Sequence, residues 1–560
     1  MKTRSQVLEL IKDKEFDLLI IGGGVVGAGV AQDAASRGLS VLLIEKDDFA
    51  SGTSSRTTKL IHGGLRYLEQ LQFRLTRELC QERGLLEQLA PHMVRDFSFV
   101  LPITKGQQFF GFKADLGLTI YDLLSINARG VRTHERLSRR DTLRTAPSLD
   151  PDTISGGLRF HDCITDDSRI VLAVLKSACD HGALAINYLE AVEFERSGDN
   201  IDSVICQDNV SGQRIKLRAK ALVNAAGVWS DKLLAQIEPT WNCKVKPAKG
   251  THIMLPLSSF DTSSALFLPT PDGRYVFVVP WQKALMVGTT DQNYDGPLDN
   301  PVATTEEIDY LLGILNSYSC SRSARGKLER SDVIAAWAGL RPLVDSGAAA
   351  TATISREHLL FEGPCGIIGL IGGKLTNFRM LAIHVTEMAL VQLRQKDAAK
   401  YAAIQGSKTD KLMLGGYNSK EDYLASTAQV SARGRKLNLD PATIGHLIAT
   451  YGSDAIAVLE LAENRHDLTE RICPDFPPIM AEVPFCLENE MAMSLDDILS
   501  RRIRLGFVHQ EQCLKAAPKA AALLQILGHW DAARSAAEVA AIVKSLQSQM
   551  APAMPAVPVS

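Results

Sequence analysis

Residues 53–69, TSSRTTKLIHGGLRYLE, carry several side chains whose types could bind an anion or move a proton. The hydroxyls at the start of the run can donate hydrogen bonds to phosphate oxygens, while His62, Arg66 and Tyr67 add a titratable ring, a cation and a phenol. A solvated loop that leads into a helix is the simpler interpretation of such a run. The segments around it decide between these two interpretations.

The polar run follows a complete nucleotide-binding unit at residues 16–45, FDLLIIGGGVVGAGVAQDAASRGLSVLLIE. The pattern predicts a buried strand, a glycine turn, a helix and a second buried strand. Gly22 permits the tight turn, Gly24 lets the backbone approach a pyrophosphate, and Gly27 lets the helix pack closely on the strand. Glu45, at the end of the second strand, can accept hydrogen bonds from a ribose diol. The unit therefore predicts a dinucleotide site at the helix N-terminus.

Two later segments favour FAD over NAD as the dinucleotide. Residues 221–233, ALVNAAGVWSDKL, predict a short strand that returns small residues, Gly227 among them, to the side of the dinucleotide. Residues 370–379, LIGGKLTNFR, predict a strand, a glycine turn and a helix whose N-terminus points at a carbonyl of a flavin ring. A plain strand–turn–helix connection is the alternative for each segment. Together they predict a cofactor domain assembled from separated stretches.

Length and composition limit the class of protein. A chain of 560 residues favours roughly two to four domains, and a formal net charge of −3 argues against a nucleic-acid partner. The ten cysteines include no CxxC pair, which favours reduced thiols and a cytoplasmic setting. No window approaches about 18 uninterrupted apolar residues, so no membrane-spanning helix is predicted. The opening MKTRSQVLELIKDKE forms either an ordinary packed helix or a helix that lies on a membrane.

The sequence pattern predicts an α/β fold with three parts. GTHIMLP, RYVFVVPW and ALMVGTTDQ are short β-rich segments that predict an antiparallel sheet in a substrate domain. From about residue 400, alanine-rich helical patterns predict an all-α C-terminal domain, and the Pro-rich end is predicted to be disordered. We assign residues 16–80, 150–235 and 330–395 to a Rossmann-like FAD-binding domain, 81–149 and 236–329 to the substrate domain, 400–545 to the helical domain and 546–560 to the disordered tail.

The chain resembles the FAD-dependent glycerol-3-phosphate dehydrogenases of the aerobic, respiratory type. After the glycine-rich unit, the motifs that agree in identity and order are TSSRTTKLIHGGLRYLE, FHDCITDDSRIVLA, LVNAAGVW, KGTHIMLP, VGTTD, AGLRPLVD and IGGKLTNFR. The resemblance runs from about residue 16 through the helical domain. It implies an FAD-binding domain of the D-amino-acid oxidase/glutathione reductase type. It also implies oxidation of sn-glycerol 3-phosphate to dihydroxyacetone phosphate by hydride transfer to FAD.

The resemblance also implies roles for individual side chains. Arg341 in AGLRPLVD and Arg356 in ATISREH are expected to hold the phosphate, with Arg66 beside them. Tyr67 is expected to hydrogen-bond the substrate. Lys374 is expected to hold a substrate oxygen or the negative charge of the reduced flavin. A structural salt bridge is the alternative role for each arginine.

The proton acceptor is open among His62, His252 and a water molecule, with Arg341 then polarising the hydroxyl. Either histidine could instead only bind the backbone. Thr376 is assigned to both substrate and cofactor, and no metal site is predicted. The predicted cofactor contacts are Gly22, Gly23, Gly24, Gly27, Ala28, Glu45, Lys46, Thr53, Ser54, Ser55, His62, Gly64, Gly227, Gly373, Lys374 and Thr376.

Two other functions use the same motifs. One is oxidation of an amine or amino acid, as in the related D-amino-acid oxidase superfamily; its substrates carry one carboxylate, so the number of basic residues here favours phosphate. The other is a binding protein in which FAD is structural and the helical domain carries the function. The cations around Lys374 argue against that second alternative.

The electron acceptor is assigned to a membrane quinone, and a glycerol-3-phosphate oxidase that uses oxygen is the alternative. Isolated Cys473, Cys486 and Cys513 argue against partner iron–sulfur subunits, and no calcium-binding loop is present. Because no spanning helix is predicted, we expect peripheral attachment to the inner face of the cytoplasmic membrane through an amphipathic surface. A homodimer is left open.

Overall fold

The computed structural model describes residues 1–126, 132–320, 326–345 and 358–553. Within these ranges the chain forms an eight-stranded sheet, a ten-stranded sheet and a helical C-terminal region. The predicted α/β fold with a second sheet and an all-α C-terminal part is confirmed.

The strands are β1 (Glu15–Ile21), β2 (Val41–Ile44), β3 (Leu60–Ile61), β4 (Arg95–Thr104), β5 (Glu135–Ser138), β6 (Ile154–Ile164), β7 (Leu184–Ile186), β8 (Leu189–Ser197), β9 (Asn200–Asp208), β10 (Arg214–Asn224), β11 (Val245–Pro256), β12 (Ala265–Pro269), β13 (Tyr275–Trp281), β14 (Ala284–Gly288), β15 (Gln292–Asn293), β16 (Ala335–Val344), β17 (Leu359–Glu362) and β18 (Ile368–Ile371).

The helices are α1 (Arg4–Ile11), α2 (Val25–Ser36), α3 (Leu65–Glu69), α4 (Phe73–Leu89), α5 (Gln108–Ser125), α6 (Arg139–Thr145), α7 (Asp167–Asp180), α8 (Ser230–Ile237), α9 (Thr305–Tyr318), α10 (Phe378–Lys396), α11 (Ala398–Tyr401), α12 (Lys420–Lys436), α13 (Pro441–Tyr451), α14 (Ala455–Asn464), α15 (Glu482–Asn489), α16 (Leu505–Val508), α17 (Gln510–Ile526) and α18 (Ala532–Met550).

The first sheet has a parallel core that carries the glycine-rich turn. Its strand order is β17–β18–β10–β1–β2–β7, and β18, β10, β1, β2 and β7 run parallel to one another. After its first residue β1 is buried throughout, as expected for a central strand covered on both faces. Because the carboxyl ends of parallel strands meet at one edge, the turns that follow β1, β10 and β18 come together there.

The second sheet is largely antiparallel and forms a wall beside that edge. Its order is β15–β11–β14–β13–β12–β4–β6–β3, with β16 also paired to β11 and β5 also paired to β6. The segments GTHIMLP, RYVFVVPW and ALMVGTTDQ contribute to β11, β13 and β14, so the predicted antiparallel sheet is confirmed. Only β4 and β12 pair in parallel among the described strands of this sheet.

Sheet membership differs from the predicted domain ranges at three strands. The strands β3, β6 and β16 fall within ranges assigned to the FAD-binding domain, yet all three pair in the second sheet. Each of these strands carries the chain from the cofactor region into the second sheet. Such pairing between distant segments leaves no local signal, so the division into domains stays a proposal.

The C-terminal helices form their own apolar core and dock on the first sheet region through buried ion pairs. Asp48 accepts hydrogen bonds from Arg501 at 2.7 Å and from Arg502 at 2.8 Å. Arg169, near the start of α7, donates to Glu490 at 2.7 Å. Removing one partner of such a buried pair is costly, so these contacts hold the helical domain in a defined place.

The end of α18 differs from the predicted disordered tail. The helix continues to Met550, and residues 551–553 form a further helical turn in which Ala553 is buried. The turn is anchored because the Thr305 hydroxyl donates to the carbonyl of Pro552 at 3.2 Å. Residues 554–560 of the predicted tail lie outside the described residues.

The N-terminal segment is an ordinary packed helix. Val7 and Ile11 are buried in the main core, and Thr3 caps α1 with a capping box. Arg4 ties the helix to the body of the protein through Asp208 at 2.6 Å. In the described part of the chain, no helix is both long and apolar enough to cross a bilayer.

Candidate functional site

A cavity opens at the carboxyl edge of the first sheet, where the turns after β1, β10 and β18 meet. We call it the first cavity. Its lining comes from all three turns and from the segments that follow β2. Among the lining residues are Gly22, Gly24, Val26, Glu45, Lys46, Ser51, Thr53, Ser54, Thr57, Ala225, Ala226, Gly227, Trp229, Gly372, Gly373 and Lys374.

Two positions at this edge of the first sheet require glycine, because another part of the backbone lies too close for a side chain. Gly22 has a φ of +120°, and a Cβ there would lie 2.4 Å from the carbonyl oxygen of Ala225. A Cβ on Gly27 would lie 1.9 Å from the carbonyl oxygen of Gly22. The tight turn and the close helix–strand contact that the sequence predicts are therefore both present.

The N-terminus of α2 faces the first cavity with its backbone donors. Gly24 is the N-cap and offers no capping side chain, while the hydroxyl of Ser54 accepts a hydrogen bond from the Val25 N–H at 3.0 Å. The positive end of the helix dipole and the absence of a side chain on Gly24 together suit a pyrophosphate.

Glu45 is a partly buried carboxylate that directly follows β2. Its oxygens accept hydrogen bonds from the N–H of Gly23 at 2.6 Å and of Asp47 at 3.0 Å. Burial raises its pKa to about 7, although these two hydrogen bonds oppose the rise. A diol that donated two further hydrogen bonds would favour the ionised carboxylate.

A second cavity continues from the first along the turn after β18. Thr53, Thr57, Gly372, Gly373, Lys374 and Leu375 line both cavities. The second cavity lies against the second sheet. The other residues that line it include Arg56, Thr58, His62, Gly64, Tyr67, Asp162, His252, Arg274, Tyr275, Phe277, Thr289, Asp291, Arg341 and Thr376.

The described charges of the second cavity are mainly positive. Its lining holds four cations, Arg56, Arg274, Arg341 and Lys374, and two carboxylates. Each carboxylate is bound to an arginine: Asp291 to Arg341 and Asp162 to Arg83. The cavity therefore suits an anion.

Arg341 lies on β16, close to the end of β14, where a cis peptide bond joins Gly288 to Thr289. It donates to Asp291 at 3.1 Å and to the Thr289 hydroxyl at 3.0 Å. These two contacts orient the guanidinium, and its side chain is 26 % exposed. Arg341 thus takes part in a salt bridge, and it also lies in the lining of the second cavity, where its guanidinium suits an anionic ligand.

His252 is fully buried in β11 and lies at the floor of the second cavity. Its ring stacks on Trp337 with 4.2 Å between centroids, and its Nε2 is 3.0 Å from the Thr58 hydroxyl. Burial, reinforced by Lys59 and Arg341, holds the pKa of His252 well below 6.5. The imidazole is therefore neutral at ordinary pH and a weak base.

The loop that carries His62, Gly64 and Tyr67 is tied to the turn after β18. The Thr376 hydroxyl accepts from the His62 N–H at 3.1 Å and donates to the His62 carbonyl at 3.2 Å. The Lys374 Nζ lies 4.8 Å from the centre of the Tyr67 ring. Predicted residues that are more than 300 positions apart in sequence thus meet at one place.

Most of the predicted site residues line one of the two cavities, but several do not. The residues Gly23, Gly27, Ala28 and Ser55 lie behind the lining, and Gly23 acts by holding Glu45. The Ser55 hydroxyl donates weakly to Gly52 at 3.4 Å, and its carbonyl faces away from the first cavity toward buried cations. Arg356 and the side chain of Arg66 lie outside the described part of the structure.

Sequence reasoning missed several residues of the second cavity. Arg274 and Asp291 border it, and the Arg274 guanidinium donates to the Asp291 carbonyl at 3.1 Å. Arg274 is the first residue of RYVFVVPW and Asp291 is the last residue of VGTTD, but neither charged residue was assigned to the site. A search for charged residues at the ends of those predicted strands would have found them.

Known proteins share this architecture. Residues 17–376 match the family described as FAD dependent oxidoreductase, and residues 407–535 match the C-terminal domain of alpha-glycerophosphate oxidase. Glycerol-3-phosphate dehydrogenase 2 of Mycobacterium tuberculosis is 34 % identical over 538 residues, which cover 96 % of this chain and 89 % of that protein. The aerobic glycerol-3-phosphate dehydrogenase of Staphylococcus saprophyticus is 32 % identical over 511 residues, which cover 89 % of this chain and 88 % of that protein.

A solved structure agrees over the whole chain. The glycerol-3-phosphate dehydrogenase of Bacillus halodurans, complexed with FAD, has a TM-score of 0.78 and 27 % sequence identity and covers 99 % of both chains. The residues of the first cavity also fit FAD. The N-terminus of α2 suits the pyrophosphate of FAD, Glu45 suits its ribose, and the part of the lining formed by Gly372 and Gly373 suits its flavin ring. The chain belongs to the FAD-dependent oxidoreductase family and, within it, to the FAD-dependent glycerol-3-phosphate dehydrogenases, with FAD as its cofactor.

Proposed function

We propose that this chain oxidises sn-glycerol 3-phosphate to dihydroxyacetone phosphate and passes the electrons to a quinone in the membrane. The observation that carries the proposal is the second cavity, which is rich in cations and continuous with the first cavity along Gly372–Leu375. The relatives named above supply the substrate class. When bound, FAD supplies the acceptor for a hydride from the carbinol carbon.

The phosphate end of the substrate would lie near Arg341 and Arg274. The two guanidiniums share Asp291, which accepts from Arg341 through its carboxylate and from Arg274 through its carbonyl. A phosphate dianion can take charge-assisted hydrogen bonds from such planar donors. Arg66 and Arg356 stay predictions that rest on the resemblance.

The carbinol end of the substrate would lie toward Lys374 and the turn after β18. Lys374 lines both cavities, so its ammonium can stabilise negative charge at their junction. Tyr67 lies under that ammonium and lines the same cavity. The two side chains together would orient the reacting carbon and exclude water from its other face.

We assign the proton acceptor to His62 in preference to His252. His62 lines the second cavity, and its backbone hydrogen bonds with the Thr376 hydroxyl fix this position of the chain there. His252 is buried between Trp337 and Thr58, and its pKa lies well below 6.5. A base with so low a pKa accepts a proton poorly near neutral pH, which argues against His252.

Anaerobic flavin absorbance tests the proposed reaction. We expect sn-glycerol 3-phosphate to bleach the flavin band of the purified holoenzyme promptly, glycerol at the same concentration to bleach it far more slowly, and D-alanine to leave it oxidised. Bleaching by the amino acid instead would favour amine oxidation. A flavin that stays oxidised with all of these compounds, yet is reduced by dithionite, would contradict the proposed reaction and favour a binding protein in which FAD is structural.

An exposed apolar stripe on α5 supports a membrane-borne acceptor. Phe109, Phe112, Leu116 and Leu123 of α5, together with its C-cap residue Ile126, are each between 53 % and 70 % exposed. Their spacing of three, four, seven and three residues places them on one face of the helix. Such a stripe is costly in water and suits the interface of a bilayer.

Basic side chains border the α5 stripe. Lys113 lies on the same helix with its Nζ 4.6 Å from the Phe109 ring, and Arg132 and Arg136 follow the helix with side chains 71 % and 72 % exposed. The two acids of α5, Asp115 and Asp122, are largely covered and bind His134 and Arg136. The face therefore matches an anionic lipid surface.

The opposite face of α5 touches the loop of the second cavity. The Tyr121 hydroxyl accepts from the Gly63 N–H at 2.8 Å and donates to Asp162 at 2.6 Å. Gly63 lies between His62 and Gly64, which both line that cavity. An acceptor dissolved in the bilayer would thus come close to the site.

Reoxidation of the bleached enzyme tests the acceptor. We expect a quinone analogue to restore the flavin band faster than air-saturated buffer does. Faster recovery with oxygen would favour a glycerol-3-phosphate oxidase and leave the substrate assignment intact.

A further inference from the structure

Through Arg504, the C-terminal helical domain contacts residues that lie just behind the lining of the two cavities. This residue follows the π-helical turn Asp497–Arg502, has a left-handed backbone with φ of +71°, and is 1 % exposed. Its Nη2 donates to the carbonyl of Ser55 at 3.0 Å and to the carboxylate of Asp167 at 2.9 Å. Both acceptors belong to the cofactor-binding part of the chain.

Asp167 joins Arg504 to residues 53–59, which we call the 53–59 segment. At the first position of α7, it accepts from the Thr57 N–H at 2.9 Å and from the Thr57 hydroxyl at 2.8 Å. It also accepts from the Lys59 Nζ at 3.1 Å, and Lys59 donates to the same Ser55 carbonyl as Arg504. Burial alone would raise the pKa of Asp167, but Lys59 and Arg504 hold it below its usual value.

An aromatic enclosure keeps water from this cluster. The Lys59 Nζ lies 5.1 Å, 4.6 Å and 5.6 Å from the ring centres of Trp281, Trp337 and Phe507, the last of which belongs to α16. Lys59 itself has a left-handed backbone with φ of +59°. A charged residue in a strained conformation is held there only because its surroundings fix it.

The other side of the 53–59 segment forms the cavities. Thr53, Ser54 and Thr57 line the first cavity, and Thr57 and Thr58 line the second. A shift of this segment would therefore move hydroxyls that face the cofactor. We infer that Arg504 is a positioning residue which, through Asp167 and the Ser55 carbonyl, fixes the 53–59 segment for FAD, so that the helical domain completes the cofactor site.

Domain docking alone is the simpler role for Arg504, and Arg169 provides the matched control. Arg169 is likewise buried at the boundary with the helical domain, where it binds Glu490 and the Thr450 carbonyl. None of its described hydrogen bonds reaches the 53–59 segment. A purely structural contribution should be similar for the two arginines.

The test compares Arg504→Met and Arg169→Met in the full-length protein. FAD is removed, and the dissociation constant for added FAD is measured by titration, together with the visible circular dichroism of the bound flavin and the thermal midpoint. We expect both variants to lose thermal stability. In Arg504→Met alone we expect the FAD dissociation constant to rise about tenfold or more and the flavin dichroism to change, because the lost hydrogen bonds hold the segment.

The role of Arg504 rests on the proposed function, because it assumes that FAD binds in the first cavity. The measurements distinguish a failure of the role of Arg504 from a failure of the proposed function. FAD dissociation constants and dichroism that match the wild type in both variants would overturn the role of Arg504 and leave the proposed function standing. A wild-type protein that binds no FAD would overturn both. If Arg504→Met does not accumulate in folded form, Arg504→Gln, which keeps one donor for Ser55, is measured against the same outcomes.

Discussion

At the residue scale, the site depends on side chains whose charge is set by burial. His62 and His252 border one cavity, yet only His252 is sealed between Trp337 and Thr58. Because burial holds the pKa of His252 well below 6.5, it stays neutral as the pH falls toward that value. Any loss of activity on mild acidification must then come from another group.

We expect His62→Asn to slow flavin reduction by glycerol 3-phosphate about 100-fold, as is typical when a general base is lost. We also expect it to remove the acid limb of the pH profile of the reduction rate. His252→Asn is the matched variant and should keep that limb. Stopped-flow absorbance across the pH range measures both, and a limb lost in His252→Asn but kept in His62→Asn would reverse the assignment.

Glu45 should couple FAD binding to proton release. Burial raises the pKa of Glu45 to about 7 in the protein without ligand, and a ribose diol would favour the ionised form. FAD affinity should therefore rise as the pH increases through about 7, because the free protein then no longer has to lose a proton on binding.

Titration calorimetry in buffers of different ionisation enthalpy measures this coupling. The wild type should release a fraction of a proton near neutral pH, and Glu45→Gln should release less and lose the pH dependence of its FAD affinity. An unchanged proton release in Glu45→Gln would place the titrating group elsewhere.

At the scale of elements, α5 faces solvent on one side, and on the other it contacts the loop at residues 62–64 that borders the second cavity. We expect the double variant Phe109→Ser and Phe112→Ser to bind anionic phospholipid vesicles at least about 100-fold more weakly, since each buried phenylalanine contributes about 1.5–3 kcal/mol. Vesicle flotation measures the bound fraction. Flavin reduction by glycerol 3-phosphate should be unchanged, because the stripe lies outside the lining of the cavity.

Ile526→Ser is the control for that experiment. Ile526 is 71 % exposed and lies at the end of α17, away from the α5 stripe. It should leave vesicle binding unchanged. Equal losses in the control, or wild-type binding by the double variant, would exclude α5 as the membrane surface.

The elements around the cofactor were the part of the fold most accessible from the sequence. The β1–α2–β2 unit has complete local signals: an apolar strand, Gly22 where φ must be positive, and Gly27 where a Cβ would collide with the backbone. The strand that ends at Asn224 and the turn at Gly372 follow the same logic. These elements therefore appear where the sequence placed them.

The contacts that join the domains could not be predicted from local sequence patterns. The strand β16 looks like part of the cofactor domain in sequence, but it pairs along its length with β11, about 90 positions away. Arg504 and Asp167 are separated by 337 positions, and no periodicity links them. Contacts of this kind depend on the whole fold, which is why Arg504 was missed.

At the scale of the whole molecule, buried ion pairs hold the helical domain to the cofactor region. Asp48 is fully buried and binds both Arg501 and Arg502. We expect Asp48→Asn to lower the free energy of unfolding by about 3–5 kcal/mol, because two buried guanidiniums lose a carboxylate. Scanning calorimetry measures the loss.

Asp467→Asn is the matched surface variant. Asp467 pairs with Arg465 where both side chains are substantially exposed, and solvent screening leaves such a pair little net contribution to stability. A similar thermal shift in the two variants would mean that the Asp48 cluster adds no more than a surface pair.

The most direct measurement is the rate of anaerobic flavin reduction by glycerol 3-phosphate and by glycerol, in the wild type and in Arg341→Ala. If Arg341 binds the phosphate, the second-order constant for glycerol 3-phosphate falls about 100-fold, while that for glycerol changes less than about threefold. FAD should stay bound, since Arg341 lines only the second cavity. Equal losses for both alcohols, or no loss for either, would contradict phosphate recognition at this cavity.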